Sequence, residues 1–212
     1  MSFFNDVAAV WVKYNAQILG GVGNTMLIAI VGTLIGLLIG LLNGIIRTIP
    51  QVKNKVGAAL MKVVNFLITA YVEVFRGTPM MVQAMIIFWG YAYANGGKQL
   101  ALIPAGIAIV SINTGAYITE IVRGGIISID KGQFEGAASI GMSHFQTRIY
   151  VVIPQALRNI LPSVSNEFVV NIKDTSVLNV IGVSELFYYT AMAAKNSYKI
   201  FASYVIACVI YF

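Results

Sequence analysis

Charge is scarce in this 212-residue chain. Only 10% of its residues are Asp, Glu, Lys or Arg, against roughly a quarter in soluble domains, while 58% are apolar. That excludes an ordinary water-soluble fold. Cysteine is all but missing: with Cys208 alone, neither an intrachain disulfide nor a cysteine-based metal site can form. Its apolar surroundings predict a core position. Histidine is equally rare, and His144 has no second ligand at useful spacing, so it reads as a surface residue and gives no support to metal binding or to a Ser/His/acid hydrolytic set. A Gly-x-x-x-x-Gly-Lys-Ser/Thr phosphate loop is absent too, because Gly96-Gly97-Lys98-Gln99 lacks the frame. No tandem repeat or low-complexity segment occurs. Ahead of the first long apolar run only Val7 to Val12 is apolar, shorter than the h-region of a cleaved signal, which predicts an uncleaved anchor.

Long uncharged runs are what the chain does have. Thr25 to Ile46 gives 22 consecutive uncharged residues, and Gly77 to Gly97 and Gln99 to Thr119 give 21 each, where a spanning helix needs about 20. Leu157 to Ile181 and Tyr198 to Phe212 are further apolar segments, so about five transmembrane helices are expected in an all-α membrane protein. The +6 net charge is then a matter of topology and not of nucleic-acid binding. Arg47, Lys53, Lys55 and Lys62 follow the first span, and Arg123, Lys131, Arg148 and Arg158 surround the segment after the third; the opposite connections hold only Lys13, Lys98, Lys195 and Lys199. The positive-inside rule makes the richer side cytoplasmic and puts the N-terminus outside. The sequence stops 13 residues after its last charge, Lys199, and a further C-terminal segment is expected.

Within this plan, Gly32, Gly36, Gly40 and Gly44 recur at every fourth position of the first span, a stripe that lets another backbone approach, for packing or for a dimer-facing or gating role. Residues 63 to 94 are too long for one straight span and are interrupted by Arg76-Gly77-Thr78-Pro79, which predicts a broken second helix with Thr78 as N-cap and Pro79 at the first helical position. Segment 124–153 reads as two short helices. Gln133 to Ile140 forms the first, Gly141 stops it, and Ser143 with Gln146 fits a capping box opening the second, which runs towards Ile153. Pro154 is expected in the first turn of the next span, and Pro162 to kink that span or limit its helix. Glu167, Asn171 and Asp174 share a helix face, and so do Asn113, Tyr117 and Glu120, although Glu120 also has Arg123 three positions on.

Three motifs appear in order: Val72-Glu73-Val74-Phe75-Arg76-Gly77-Thr78-Pro79, the Glu135 to Pro154 loop continuing into Gln155-Ala156-Leu157-Arg158, and Ile172-Lys173-Asp174-Thr175-Ser176. Together they resemble the transmembrane permease subunits of the polar amino-acid uptake family of ABC transporters over roughly residues 20 to 212, taken as one permease domain within 1–212. Gly136 departs from the family's usual alanine and weakens the first short helix; Val151 and Ile153 keep apolar character.

The resemblance implies that segment 124–153 is the cytoplasmic coupling loop, with Glu135, Ala137 and Gly141 at the joint to a separate ATPase. Arg76, Thr78, Asn171, Glu167 and Asp174 would then bind substrate, Asp174 taking an α-ammonium and Glu167 facing the side chain. It further implies a bacterial plasma-membrane importer of L-amino acids without bond chemistry of its own. ABC ATPase subunits, a solute-binding protein and a second permease subunit, identical or not, would be its partners, surrounded by lipid. The chain itself would bind no cofactor or metal; ATP and Mg would sit on the ATPase.

Glu167 points to a basic substrate (arginine, lysine or histidine), with glutamine or another polar amino acid as the alternative. Several bland readings stand beside these. Arg76 can be read as pairing with Glu73 at a helix end, Asp174 as an ion-pair partner of Lys173 at a helix break, and the coupling loop as an amphipathic hairpin lying on lipid. Two rivals remain for the whole chain: an ion-coupled secondary transporter using Glu120, Glu167 and Asp174 as a relay, and a non-transporting scaffold.

Overall fold

A computed structural model describes residues 2–49 and 54–212; Lys53, one of the expected cytoplasmic cations, lies outside the described residues. The described residues are helical and hold no strand. In order they form α1 (Phe3–Ile46), α2 (Lys55–Gly77), α3 (Met80–Ala94), α4 (Leu102–Ile127), α5 (Lys131–Ser139), α6 (His144–Thr147), a π-helical turn (Arg148–Val152), α7 (Ile153–Asp174), a 3-10 segment (Thr175–Ile181), α8 (Leu186–Ser197) and α9 (Ile200–Tyr211). Among the described residues α1, α2 and α4 are each long and apolar enough to cross a bilayer, and His144–Ile181 with α8, bent by 57°, makes a fourth. The expected second helix is broken into α2 and α3, both apolar; α9 is a shorter apolar helix.

The chain forms two compact units. The first comprises the described residues of Met1–Gly32, Pro79–Val110 and Phe168–Phe212. Its larger core gathers Ile28, Phe88, Ile109, Leu178 and Val183. A second cluster places Val10, Tyr14 and Ile18, one helical stripe of α1, on Leu186, Ala193, Ala202 and Ile206 of the α8–α9 hairpin. Lipid tails are as apolar as these side chains, so close van der Waals fit, more than escape from water, favours the packing. Polar bonds add direction to it. The Asn24 amide donates to the Ser184 carbonyl at 2.6 Å, the Leu186 N–H donates to the Thr25 hydroxyl at 3.1 Å, and a Cβ on Gly21 would stand 2.8 Å from the Glu185 carbonyl oxygen.

Two features of this unit differ from expectation. The first span is not about 22 residues long: α1 is one helix of 44 residues, about 66 Å at 1.5 Å per residue, because its N-terminal half finds an apolar partner in α8 and α9. Cys208 is exposed and not core, since α9 turns Ala202, Ser203, Ile206 and Ala207 inward, leaving position 208 off that stripe.

The second unit comprises the described residues of Thr33–Thr78 and Ser111–Glu167. Ile118, Val122 and Ile160 form its centre with Leu37, Leu41 and Ile45 packed around them. Here the glycine stripe has its partner. A Cβ on Gly36 would meet Thr114 at 2.8 Å, one on Gly40 would overlap Ile118, and one on Gly44 would meet Val122 at 2.6 Å. The stripe thus serves packing within the chain. Since 36, 40 and 44 face 114, 118 and 122 in the same order, α1 and α4 run parallel there, as two spans separated by one intervening crossing must.

Candidate functional site

The coupling segment is built within the second unit. Asp130 caps α5, its carboxylate accepting from the Gly132 N–H at 2.7 Å, so the helix starts two residues before the expected Gln133. Gly141 ends the turn with φ +81°, a conformation that costs an L-residue about 1–2 kcal/mol. The Gly141 N–H donates to the Ala138 carbonyl and the Met142 N–H to that of Ala137, the pair of bonds that satisfies a helix C-terminus. Ser143 and Gln146 then form the expected capping box: the Gln146 N–H donates to the Ser143 hydroxyl at 3.2 Å and the Ser143 N–H to the Gln146 side-chain oxygen at 2.9 Å. Glu135 and Gly141 are exposed and Ala137 is buried, so Ala137 seats α5 on its own unit while Glu135 faces outward. His144 is exposed.

Beyond the capping box the chain departs from the expectation of a short helix separate from the next span. After four residues of α6 it widens into the π turn, the Ile153 N–H reaching back to the Arg148 carbonyl, and runs into α7 without a break. Pro154 has no N–H to donate, and the wide turn immediately before it fits that loss. Nor does Pro162 end the helix; α7 passes through it, and the 57° bend follows Ile181.

The hairpin is fastened to neighbouring elements. The Gln155 amide donates to Gln133 of α5 at 3.0 Å and the Asn159 amide to Ser128 at 3.4 Å, while the Arg148 guanidinium donates to the Thr48 carbonyl. Glu120 accepts from Arg123, with Nη2 at 2.9 Å, and also pairs with Arg47 at the end of α1. The Arg123 contact follows from the sequence, whereas Arg47 is 73 residues away and no periodic signal links the two.

At the helix break, Thr78 is the residue after α2 and not the N-cap of α3. Its hydroxyl donates back to the Val74 carbonyl at 2.8 Å, satisfying an acceptor of the last turn of α2, and Pro79 takes the N-cap position. Arg76 is exposed and sets its guanidinium over the Tyr117 ring, 5.5 Å from the centroid; this cation–π contact, and no ion pair to Glu73, is its neighbour among the described residues. The Tyr71 hydroxyl donates to the Ile112 carbonyl and the Asn113 amide to that of Phe75, which fixes the end of α2 along α4.

Arg76, Thr78 and Glu167 belong to the second unit, Asn171 and Asp174 to the first. Because α7 is helical throughout, Glu167, Asn171 and Asp174 do share a face. Glu167 and Asp174 are half-buried, Asn171 is buried, and α7 ends at Asp174 as expected.

Sequence reasoning missed Glu185. It is fully buried at the start of α8, accepting from the Phe187 and Tyr188 N–H groups at 2.8 and 2.6 Å and from the Tyr211 hydroxyl at 3.1 Å. An acid just before an apolar helix was the available N-cap signal.

Long apolar helices, a broken helix and an exposed capped hairpin define a polytopic membrane protein. Residues 56–212 match the family described as "Binding-protein-dependent transport system inner membrane component", and the chain belongs to that family. Among curated relatives, the "Glutamine transport system permease protein" of Escherichia coli K12 is 41% identical over 58% of this chain and 57% of its own length. The "L-cystine transport system permease protein" of Bacillus subtilis 168 is 40% identical over 69% and 62%. The chain thus spans less than two thirds of the length of these relatives. A crystal structure described as an amino acid ABC transporter with histidines superposes with a TM-score of 0.85 at 33% identity, covering 100% of this chain and 91% of that one. An inward-facing methionine ABC transporter, at 19% identity and a TM-score of 0.71, shares the fold.

Proposed function

We propose that this chain is the membrane-spanning subunit of an ATP-driven importer of polar L-amino acids, acting as one permease domain with its N-terminus outside. The carrying observation is the exposed hairpin from Lys131 to Thr147, capped at both turns, in a chain of a binding-protein-dependent transport family. In this reading Glu135 and Gly141 meet a separate ATPase that holds ATP and Mg, a solute-binding protein delivers substrate from outside, and a second permease subunit completes the path. The chain makes and breaks no covalent bond of the substrate. Arg76, Thr78, Glu167, Asn171 and Asp174 are its proposed substrate contacts.

The relatives named for glutamine and cystine favour a polar substrate over the basic one that Glu167 alone points to. A basic amino acid remains the second reading, supported by the neighbour solved with histidines.

Glu135→Arg tests the coupling role. Because Glu135 is exposed, the expected result is loss of ATP-driven uptake at an unchanged protein level. Unchanged uptake favours a scaffold, and uptake by the chain alone on an ion gradient would overturn the importer reading.

A further inference from the structure

At the basic end of the second unit, the ends of α1 and α4, the start of α5, the π turn and the start of α7 line a half-open cavity of about 310 Å³, at the small end of the range for ligand sites. Its wall is of two kinds. Arg47, Lys131 and Arg148 line one part, and Ile126, Ile127 and Ile153 contribute an apolar part.

The charges do not cancel. The described residues lining the cavity include three cations, Arg47, Lys131 and Arg148, and no Asp or Glu; of the acids nearby, Glu120 is engaged by Arg47 and Arg123 and Asp130 by the Gly132 N–H. Arg148 gives one donor to the Thr48 carbonyl out of the five a guanidinium carries. Beside the cations, Ile127 is 62% exposed, a branched apolar side chain that a small hydrated anion has no use for.

We propose that this cavity holds an anionic phospholipid, its phosphate on Lys131 and Arg148 and the upper part of an acyl chain along Ile126, Ile127 and Ile153. The depth fits, because α1 ends at Ile46, and α4 continues past the charged Glu120 and Arg123, beyond the end of its uncharged run at Thr119, to Ile127, which is headgroup level for a helix leaving the bilayer. The charge fits the anionic cytoplasmic leaflet, where each nearby Lys or Arg is worth about 1 kcal/mol. The leaflet assignment rests on the reading that the basic end is cytoplasmic, and is independent of the amino acid carried.

The test uses the full chain, stripped of lipid in neutral detergent, titrated with phosphatidylglycerol, with phosphatidylcholine of the same chains, and with orthophosphate, by native mass spectrometry. Phosphatidylglycerol should bind about tenfold or more tighter than phosphatidylcholine, and Lys131→Gln with Arg148→Gln should remove that preference, each cation contributing roughly a factor of five. Should the double variant lose its melting transition, Lys131→Gln alone and Ile127→Asp, both at exposed positions, carry the test; each should weaken phosphatidylglycerol binding. Lys62→Gln, an exposed cation outside the cavity, should leave it unchanged. Equal binding of the two lipids, an equal loss in Lys62→Gln, or full displacement by orthophosphate would overturn the proposal. A labelling pattern that put Lys55 outside would overturn the leaflet assignment alone.

Discussion

Gly40 has no room for a side chain, because a Cβ there would overlap Ile118, whereas a Cβ on Gly90 in α3 meets nothing within 4 Å. Overpacking costs about 1–3 kcal/mol, while replacing an open helical glycine by alanine gains up to about 1 kcal/mol. Gly40→Val should therefore lower the melting temperature of the purified chain and Gly90→Ala should hold or raise it; matching shifts would refute the α1–α4 contact. Glu167 is the proposed contact on which the choice between a basic and a polar substrate can be tested. A hydrogen bond to a charged group contributes about 1.5–3 kcal/mol, so Glu167→Gln should reduce uptake of a cationic amino acid by about tenfold or more and leave glutamine uptake nearly unchanged. Equal losses would remove Glu167 from side-chain recognition. Both residues are visible in the sequence, but the neighbour of Gly40 is not, because spacing identifies a stripe and says nothing of what lies against it.

Among elements, α6 depends most on its cap. Four residues make few helical bonds, so the capping box at Ser143 and Gln146 supplies much of what defines its start. Ser143→Ala should cost about 1 kcal/mol locally and lower ATP-driven uptake without lowering protein level, with Ser143→Thr restoring it; full uptake by Ser143→Ala would mean that the cap has no part in coupling. This cap, the stop at Gly141 and the breaks near Thr78 and Asp174 were legible because each is local turn chemistry within a few residues. The doubled length of α1 and the existence of α8 were not. Both rest on apolar contacts between α1 and distant residues of α8 and α9, and Asn24 and Thr25 meet Ser184 and Leu186 across 160 and 161 positions.

For the whole molecule, the distribution of Lys and Arg sets the expected orientation, and the parallel course of α1 and α4 agrees with the alternation it needs. In a Cys208→Ser background, an impermeant maleimide should label Lys98→Cys in intact cells and Lys55→Cys only after permeabilisation. The reverse pattern would invert the topology. Charge counting read this much because the bilayer imposes it on every crossing; the ion pair of Arg47 with Glu120, which ties the ends of two such crossings, needed the folded chain.

The contact between α1 and α4 has a further mechanical consequence. Gly36, Gly40 and Gly44 face Thr114, Ile118 and Val122, two tracks of matching four-residue pitch. Such tracks are commensurate: a fractional slide drives the Ile118 methyls into the α1 backbone, and the next good registry lies four residues, roughly 6 Å, away. A slide of α1 along α4 by less than that step is therefore opposed by the packing itself.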